Sequence, residues 1–89
     1  VNPTQFNNAA DLEKYPRMPD ADTAMLEAAG CEVLFCPPVT EMYPVPSSIT
    51  MDFGDLTRIL EGAFRPGHFS GVGLVVTKLF NIVQPTRAY

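Results

Sequence analysis

Three groups of residues in this chain have types and spacings that could do chemistry. Asn2 and Gln5 are neutral amides three positions apart in "VNPTQF". Such an amide donates to a carboxylate or hydroxyl and accepts from a hydroxyl without competing as a nucleophile. Each also has a plain structural use, Asn2 in an Asn-Pro turn and Gln5 as the cap of a loop that follows a strand. The stretch "LEGAFRPGHFSGV" holds Glu61, Arg65 and His68, the one histidine of the chain. The planar fork of an arginine can hold several acceptors at once, and the same stretch also reads as a turn between two helices. Cys31 and Cys36 lie five apart in what reads as a strand, an odd separation that sends their side chains to opposite faces. That argues against a disulfide or a shared metal, and one histidine without a second cysteine pair leaves a zinc site short of ligands. No metal site is expected within the chain.

The elements that must position these residues are bounded by composition. A chain of 89 residues makes at most one small domain, and nine prolines, about twice the usual share, call for many ordered turns and few long elements. Net charge is -4, and the six basic residues are scattered, so no stripe exists to follow a phosphate backbone and nucleic acid is not an expected partner. No apolar run approaches the roughly 20 residues of a membrane span, and no signal-like segment opens the chain, which reads as a cytoplasmic protein.

Along the chain, Val1 leading into Asn2 and Pro3 reads as the last residue of a strand entering a polar loop. "PDADTAMLEAAG" predicts a helix, with Pro19 in its first turn, Asp20 and Asp22 at the positive end of the dipole, Gly30 closing it, and Met25 and Leu26 facing inward. "CEVLFCPP" predicts a short strand buried on both faces, so helix and strand together form half of a parallel α/β unit. Val39 to Ser48 is turn-rich, and "ITMDF" alternates as a strand with one wet face. "DLTRILEG" offers about two helical turns ended by Gly62. Val72, Val75, Val76, Leu79 and Val83 recur at helical spacing, with Pro85 just past the end, and predict a helix whose core face is that stripe. Lys78, off the stripe, reads as a solvated face. "TRAY" begins a further strand, so both ends are expected to fall inside elements.

Three stretches taken together, "VNPTQF" with "DLEKYPR", then "EMYP", then "LEGAFRPGHFSGV" running into "VVTKLFNIVQP", resemble the pantothenate synthetase (pantoate-β-alanine ligase) family over essentially all 89 residues. The resemblance implies an α/β fold: a partial Rossmann-like domain of the nucleotidyltransferase type with a mainly parallel sheet, truncated at both ends. Residues 1–89 would then be a fragment of the N-terminal Rossmann-like domain, without the C-terminal lid domain. It also implies an ATP-dependent ligase, using Mg²⁺, that activates the carboxylate of pantoate as pantoyl adenylate with loss of pyrophosphate. The amine of β-alanine then displaces AMP to give pantothenate, and the enzyme works as a homodimer. The family's His-any-Gly-His signature and its Gly-Lys-Asp stretch have no counterpart here. No catalytic residue is therefore assigned, and the chain alone is not expected to turn over.

By the same resemblance Gln5 hydrogen-bonds pantoate and borders the β-alanine position, and Asn2 helps to hold the reacting groups. Tyr15 lies at the pocket edge, although it also reads as an aromatic packed over a Pro-rich loop. Val72, Val75 and Val76 meet the geminal methyl groups of pantoate. Asp22 matches one of two neighbouring acids while Ala21 replaces the other, and charge at a helix start explains Asp20 and Asp22 without a metal. Glu61, Arg65 and His68 form a supporting shell, with Glu61 and Arg65 placed to pair or to hold neighbouring loops. His68 reads as structural, because adenylation by an already ionised carboxylate needs charge stabilisation more than a base. The rival reading is a non-catalytic small α/β module that binds a carboxylate or associates with itself through sheet edges.

Overall fold

The computed structural model describes residues 1–59 and 64–89; the expected C-terminal half of "DLTRILEG" and the Glu61 assignment lie outside them. A 3-10 turn at Pro3–Gln5 opens the chain, followed by α1 (Ala9–Lys14), α2 (Pro19–Ala28), α3 (Val39–Met42), a second 3-10 turn at Gly54–Thr57, and α4 (His68–Val83).

Local chemistry explains where each helix begins and ends. Asn8 caps α1 by accepting from the Ala10 N–H at 2.9 Å. Tyr15 precedes Pro16, which disfavours helical backbone, and α1 stops with Tyr15 extended (φ -62°, ψ 128°). Arg17 folds back and donates to the Leu12 carbonyl at 2.7 Å and the Glu13 carbonyl at 3.3 Å, satisfying acceptors that the helix end leaves open. The predicted α2 is present, with Pro19 in its first turn and Asp20 and Asp22 beside the N-terminus. Gly30, at φ 83°, closes it: the Gly30 N–H donates to Glu27 and the Cys31 N–H to Leu26, the paired bonds of a Schellman motif. Gly67 takes the left-handed conformation (φ 79°) immediately before His68, so "RPGHF" is the turn that launches α4. Gln84, also left-handed, ends α4 one residue before Pro85.

The predicted sheet is not found among the described residues. Residues 31–38, 49–53 and 87–89 carry no ladder, and neither do Val1 and Asn2. A strand makes no hydrogen bonds of its own, so an apolar run becomes one only where another extended segment lies alongside. No ladder joins these segments among the described residues, although Val1 shares a cleft with Leu34 and Cys36, and Val33, expected to be buried on both faces, is 82% exposed. Met25 is likewise 65% exposed instead of inward-facing.

Among the described residues, packing between elements is concentrated where α4 meets the first 3-10 turn. Gly71 is buried against that turn, and a Cβ there would overlap the backbone of Thr4 and stand 2.7 Å from the Gln5 Cα. Gly73 sits under Phe53 and Met51, while the Met51 N–H donates to Ser70 Oγ at 3.0 Å, fastening residues 49–53 onto the same helix. The face of α4 that packs is therefore that of Gly71, Leu74, Val75 and Lys78. Val72, Val75 and Leu79 of the predicted stripe are half-buried, and Val76 and Val83 are exposed.

Met42 is the buried apolar side chain among the described residues. The accessible surface is 7314 Å², against about 5200 Å² for a folded monomer of this mass. The radius of gyration, 14.8 Å, exceeds the roughly 12 Å of a compact domain of this length. The chain thus holds one well-knit polar junction and a large uncovered apolar surface. None of the described helices is long and apolar enough to cross a membrane.

Candidate functional site

The junction between the first 3-10 turn and α4 gathers the sequence-predicted amides. Pro3 sits at the first position of the turn, and Asn2 caps it from an extended backbone (φ -95°, ψ 114°). Asn2 Oδ1 accepts from Tyr43 Oη at 2.7 Å and from the Thr4 N–H at 3.4 Å. Asn2 Nδ2 donates to Gln5 Oε1 at 3.1 Å and to the Gly71 carbonyl at 3.2 Å. Thr4 Oγ1 lies 3.0 Å from Asn2 Oδ1 and 3.2 Å from both Tyr43 Oη and the Gly71 carbonyl, and its one proton serves one of these acceptors at a time. The Asn2 amide is therefore fully engaged by protein groups, while Gln5 is held through its oxygen.

His68 anchors the other side of Gln5. Its Nδ1 lies 3.1 Å from the Gln5 carbonyl. A carbonyl only accepts, so Nδ1 carries the proton and donates, which leaves Nε2 as the open ring atom. Arg65 lies with its guanidinium carbon 6.0 Å from the centroid of the Phe6 ring, and Tyr15 meets the same ring edge-on, with centroids 5.4 Å apart. Phe6 thus links Arg65 and Tyr15 immediately beside Gln5.

The apolar residues divide between separate clefts. Val75 lines a cleft of about 270 Å³ together with Asn2, Phe35, Met42 and Tyr43. Tyr15 lines another of about 380 Å³ with Val1, Arg17, Leu26 and Leu34. A third, about 550 Å³, runs over Thr4, Tyr43, Val45, Ile49, Ser70 and Gly71. Val72 and Val76 line none of the three. The structure accordingly brings Asn2, Gln5, His68 and Val75 around one junction, sets Tyr15 and Arg65 on its Phe6 flank, and keeps Val76 apart.

Two contributors escaped the sequence reading. Tyr43 belongs to a turn-rich stretch and reaches Asn2 across 41 positions, a contact no local pattern announces. Lys78 lies on the packed face of α4, not on a solvated one. Its Nζ donates to the Met42 carbonyl at 2.8 Å and sits 5.0 Å from the centroid of the Tyr43 ring. The ammonium satisfies a carbonyl at the end of α3, where the helix dipole favours positive charge, and its apolar stem covers the packed face. Among the described residues no three of the His, Cys, Asp and Glu side chains come close enough to hold a metal ion. Both cysteines are free and exposed.

Comparison with known proteins gives a consistent answer. The family model for pantoate-β-alanine ligase matches residues 1–89. Among curated proteins, the pantothenate synthetase of Porphyromonas gingivalis is 54% identical over all 89 residues, which span 32% of its length. That of Rhizobium etli is 60% identical over the same residues, 30% of its length. Among solved structures, the pantoate-β-alanine ligase of Francisella tularensis, complexed with β,γ ATP and β-alanine, superposes with a TM-score of 0.89 at 42% identity, covering 96% of this chain and 33% of that one. The pantothenate synthetase of Thermus thermophilus gives a TM-score of 0.88 at 49% identity, covering 99% and 32%. The chain spans about a third of the length of each of these relatives.

Proposed function

Because this chain belongs to the pantoate-β-alanine ligase family, we propose that it supplies part of the pantoate pocket of an enzyme that condenses pantoate with β-alanine at the expense of ATP. The fold is that of part of a nucleotidyltransferase-type domain, and the wall of the pocket is the junction of the first 3-10 turn with α4. In the first step a pantoate carboxylate oxygen attacks the α-phosphorus of ATP and pyrophosphate leaves. In the second, the β-alanine nitrogen attacks the acyl carbon of the adenylate, AMP leaves with the bonding electrons, and the nitrogen gives up a proton.

The observation that carries this reading is the posture of Gln5. Its amide oxygen is tied to Asn2 and its backbone carbonyl to His68, so its amide nitrogen is left to meet a ligand oxygen. Val75, beside Asn2 on the neighbouring cleft, offers a branched apolar surface of the kind that suits geminal methyl groups. Val72 and Val76, which line none of the clefts described, are not needed for this reading. Tyr15 and Arg65 close the Phe6 flank. The described residues offer no cluster that fits the Mg²⁺ of the family's reaction, so no step is assigned to it here. ATP is a co-substrate, held in this reading by parts of the enzyme other than these residues. The working enzyme is a cytoplasmic homodimer.

The test is a full-length chimaera in which these 89 residues replace the matched segment of the Porphyromonas gingivalis relative. It is expected to release pyrophosphate and AMP only when pantoate, β-alanine and ATP are all supplied, and the 89-residue chain alone is expected to release none. Gln5→Ala in the chimaera should raise the KM for pantoate about tenfold or more, the loss of a hydrogen bond to a charged or polar substrate group. A folded chimaera without pantoate-dependent release would overturn the proposal.

A further inference from the structure

The partners of Asn2 leave its amide one orientation. The Thr4 N–H, which can only donate, faces one amide atom at 3.4 Å, and the Gly71 carbonyl, which can only accept, faces the other at 3.2 Å. Turning the amide over would set N–H against N–H and oxygen against oxygen. The Tyr43 hydroxyl then donates to Oδ1 at 2.7 Å, the shortest contact of the cluster, and holds the amide in that orientation. Nδ2 must then face Gln5, which answers with its own oxygen at 3.1 Å. The polarity of one amide thereby sets that of the next, and Gln5 Nε2, with two protons, is turned away from the network.

Resting on the reading that Gln5 meets pantoate, we infer that Tyr43 is a positioning residue: acting through Asn2, it fixes Gln5 as a hydrogen-bond donor and so selects a substrate that presents an acceptor oxygen there. Lys78 extends the relay to α4. Its ammonium holds the Met42 carbonyl at 2.8 Å and lies 5.0 Å from the Tyr43 ring centroid, so the helix that forms one wall of the junction also steadies the tyrosine. A glutamine free to rotate would offer donor and acceptor alike; one locked by this relay discriminates between them.

Two substitutions in the chimaera separate positioning from scaffolding. Tyr43→Phe keeps the ring and its Lys78 contact and removes only the donor to Asn2. Asn2→Asp keeps the shape and the acceptors toward Thr4 and Tyr43, but puts an oxygen where both the Gly71 carbonyl and Gln5 Oε1 meet an N–H; the carbonyl cannot turn, so the Gln5 amide turns over and points its oxygen at the substrate. The KM for pantoate is expected to rise about tenfold in Asn2→Asp and about threefold in Tyr43→Phe, with the KM for ATP changed by less than about twofold and kcat altered less than KM. Equal rises in both KM values would reduce the network to a scaffold and overturn the inference. So would an unchanged pantoate KM in both variants when Gln5→Ala raises it. If Gln5→Ala itself leaves the pantoate KM unchanged, the underlying reading of Gln5 fails, and the inference with it. Should Asn2→Asp not fold, Tyr43→Phe decides alone.

Discussion

The first 3-10 turn and residues 31–38 are both short, both rich in proline or flanked by it, and both expected to serve an α/β sheet. They come out differently. The turn is pinned by a cap, by Gly71 pressed against its backbone, and by a network reaching Tyr43 and His68. Residues 31–38 contain the most apolar run of the N-terminal half, yet Val33, Leu34 and Phe35 stand exposed. The difference teaches that hydrogen-bond geometry and a small-residue contact can hold a junction within a chain that spans a third of its relatives' length, whereas hydrophobic burial needs opposing surface. An apolar run carries a tendency to be covered and no information about what covers it.

The contrast breaks most sharply at Gly71. Replacing it with valine sets side-chain atoms into the backbone of Thr4 and Gln5, which cannot move aside without undoing the cap and the network together. Gly71→Val is expected to destabilise the chimaera by about 3 kcal/mol or more and to raise the pantoate KM more than the ATP KM. Urea unfolding and steady-state kinetics check both parts. A loss below about 1 kcal/mol would mean that α4 and the turn are not in the close approach described here.

A smaller effect is expected at Lys78, and it sharpens the comparison by asking how far the pinned region extends. Lys78→Met keeps the stem that covers the packed face and removes the donor to Met42 and the charge beside the Tyr43 ring. A cost of about 1 kcal/mol is expected from urea unfolding of the chimaera. The accompanying rise in pantoate KM should not exceed that of Tyr43→Phe, because Lys78 acts one contact further from Gln5. No change in stability would return Lys78 to the solvated face first read for it.

Much of the local structure was legible in the residues. Pro19 with Asp20 and Asp22, and Gly30 after the apolar residues, marked α2, because caps and dipoles act within one turn and leave their signature in adjacent positions. Pro85 and the preceding stripe marked the end of α4, whereas its beginning at His68, after the left-handed Gly67, lies four residues ahead of the first valine of that stripe. The face of α4 was misread for a physical reason. Periodicity finds the most apolar stripe, and here the packed face is set by a glycine that admits a neighbouring backbone and by a lysine whose ammonium has a carbonyl to meet. The expected strands form no ladder among the described residues, because a ladder is a property of two segments and one sequence stretch states only half of it. The junction divided the same way: Asn2 and Gln5 stand close in "NPTQ" and were singled out through the family resemblance, while Tyr43 and Lys78 join them only through folding.

The smallest effect belongs to the uncovered segment. A side chain that is 82% exposed gives up almost no packing when it is changed, so Val33→Thr is expected to alter the thermal stability of the 89-residue chain by less than about 0.5 kcal/mol. The replaced branch keeps its shape and its preference for extended backbone, while a hydroxyl stands where a methyl met water. Binding of an apolar fluorescent dye to the chain should fall, and should fall further as Leu34 and Phe35 are replaced in turn. Melting curves and dye titration on the same samples read the two quantities separately. A stability loss approaching that of Gly71→Val would mean that Val33 is packed in solution, and the distinction between a region held by its own network and one awaiting an opposing surface would collapse.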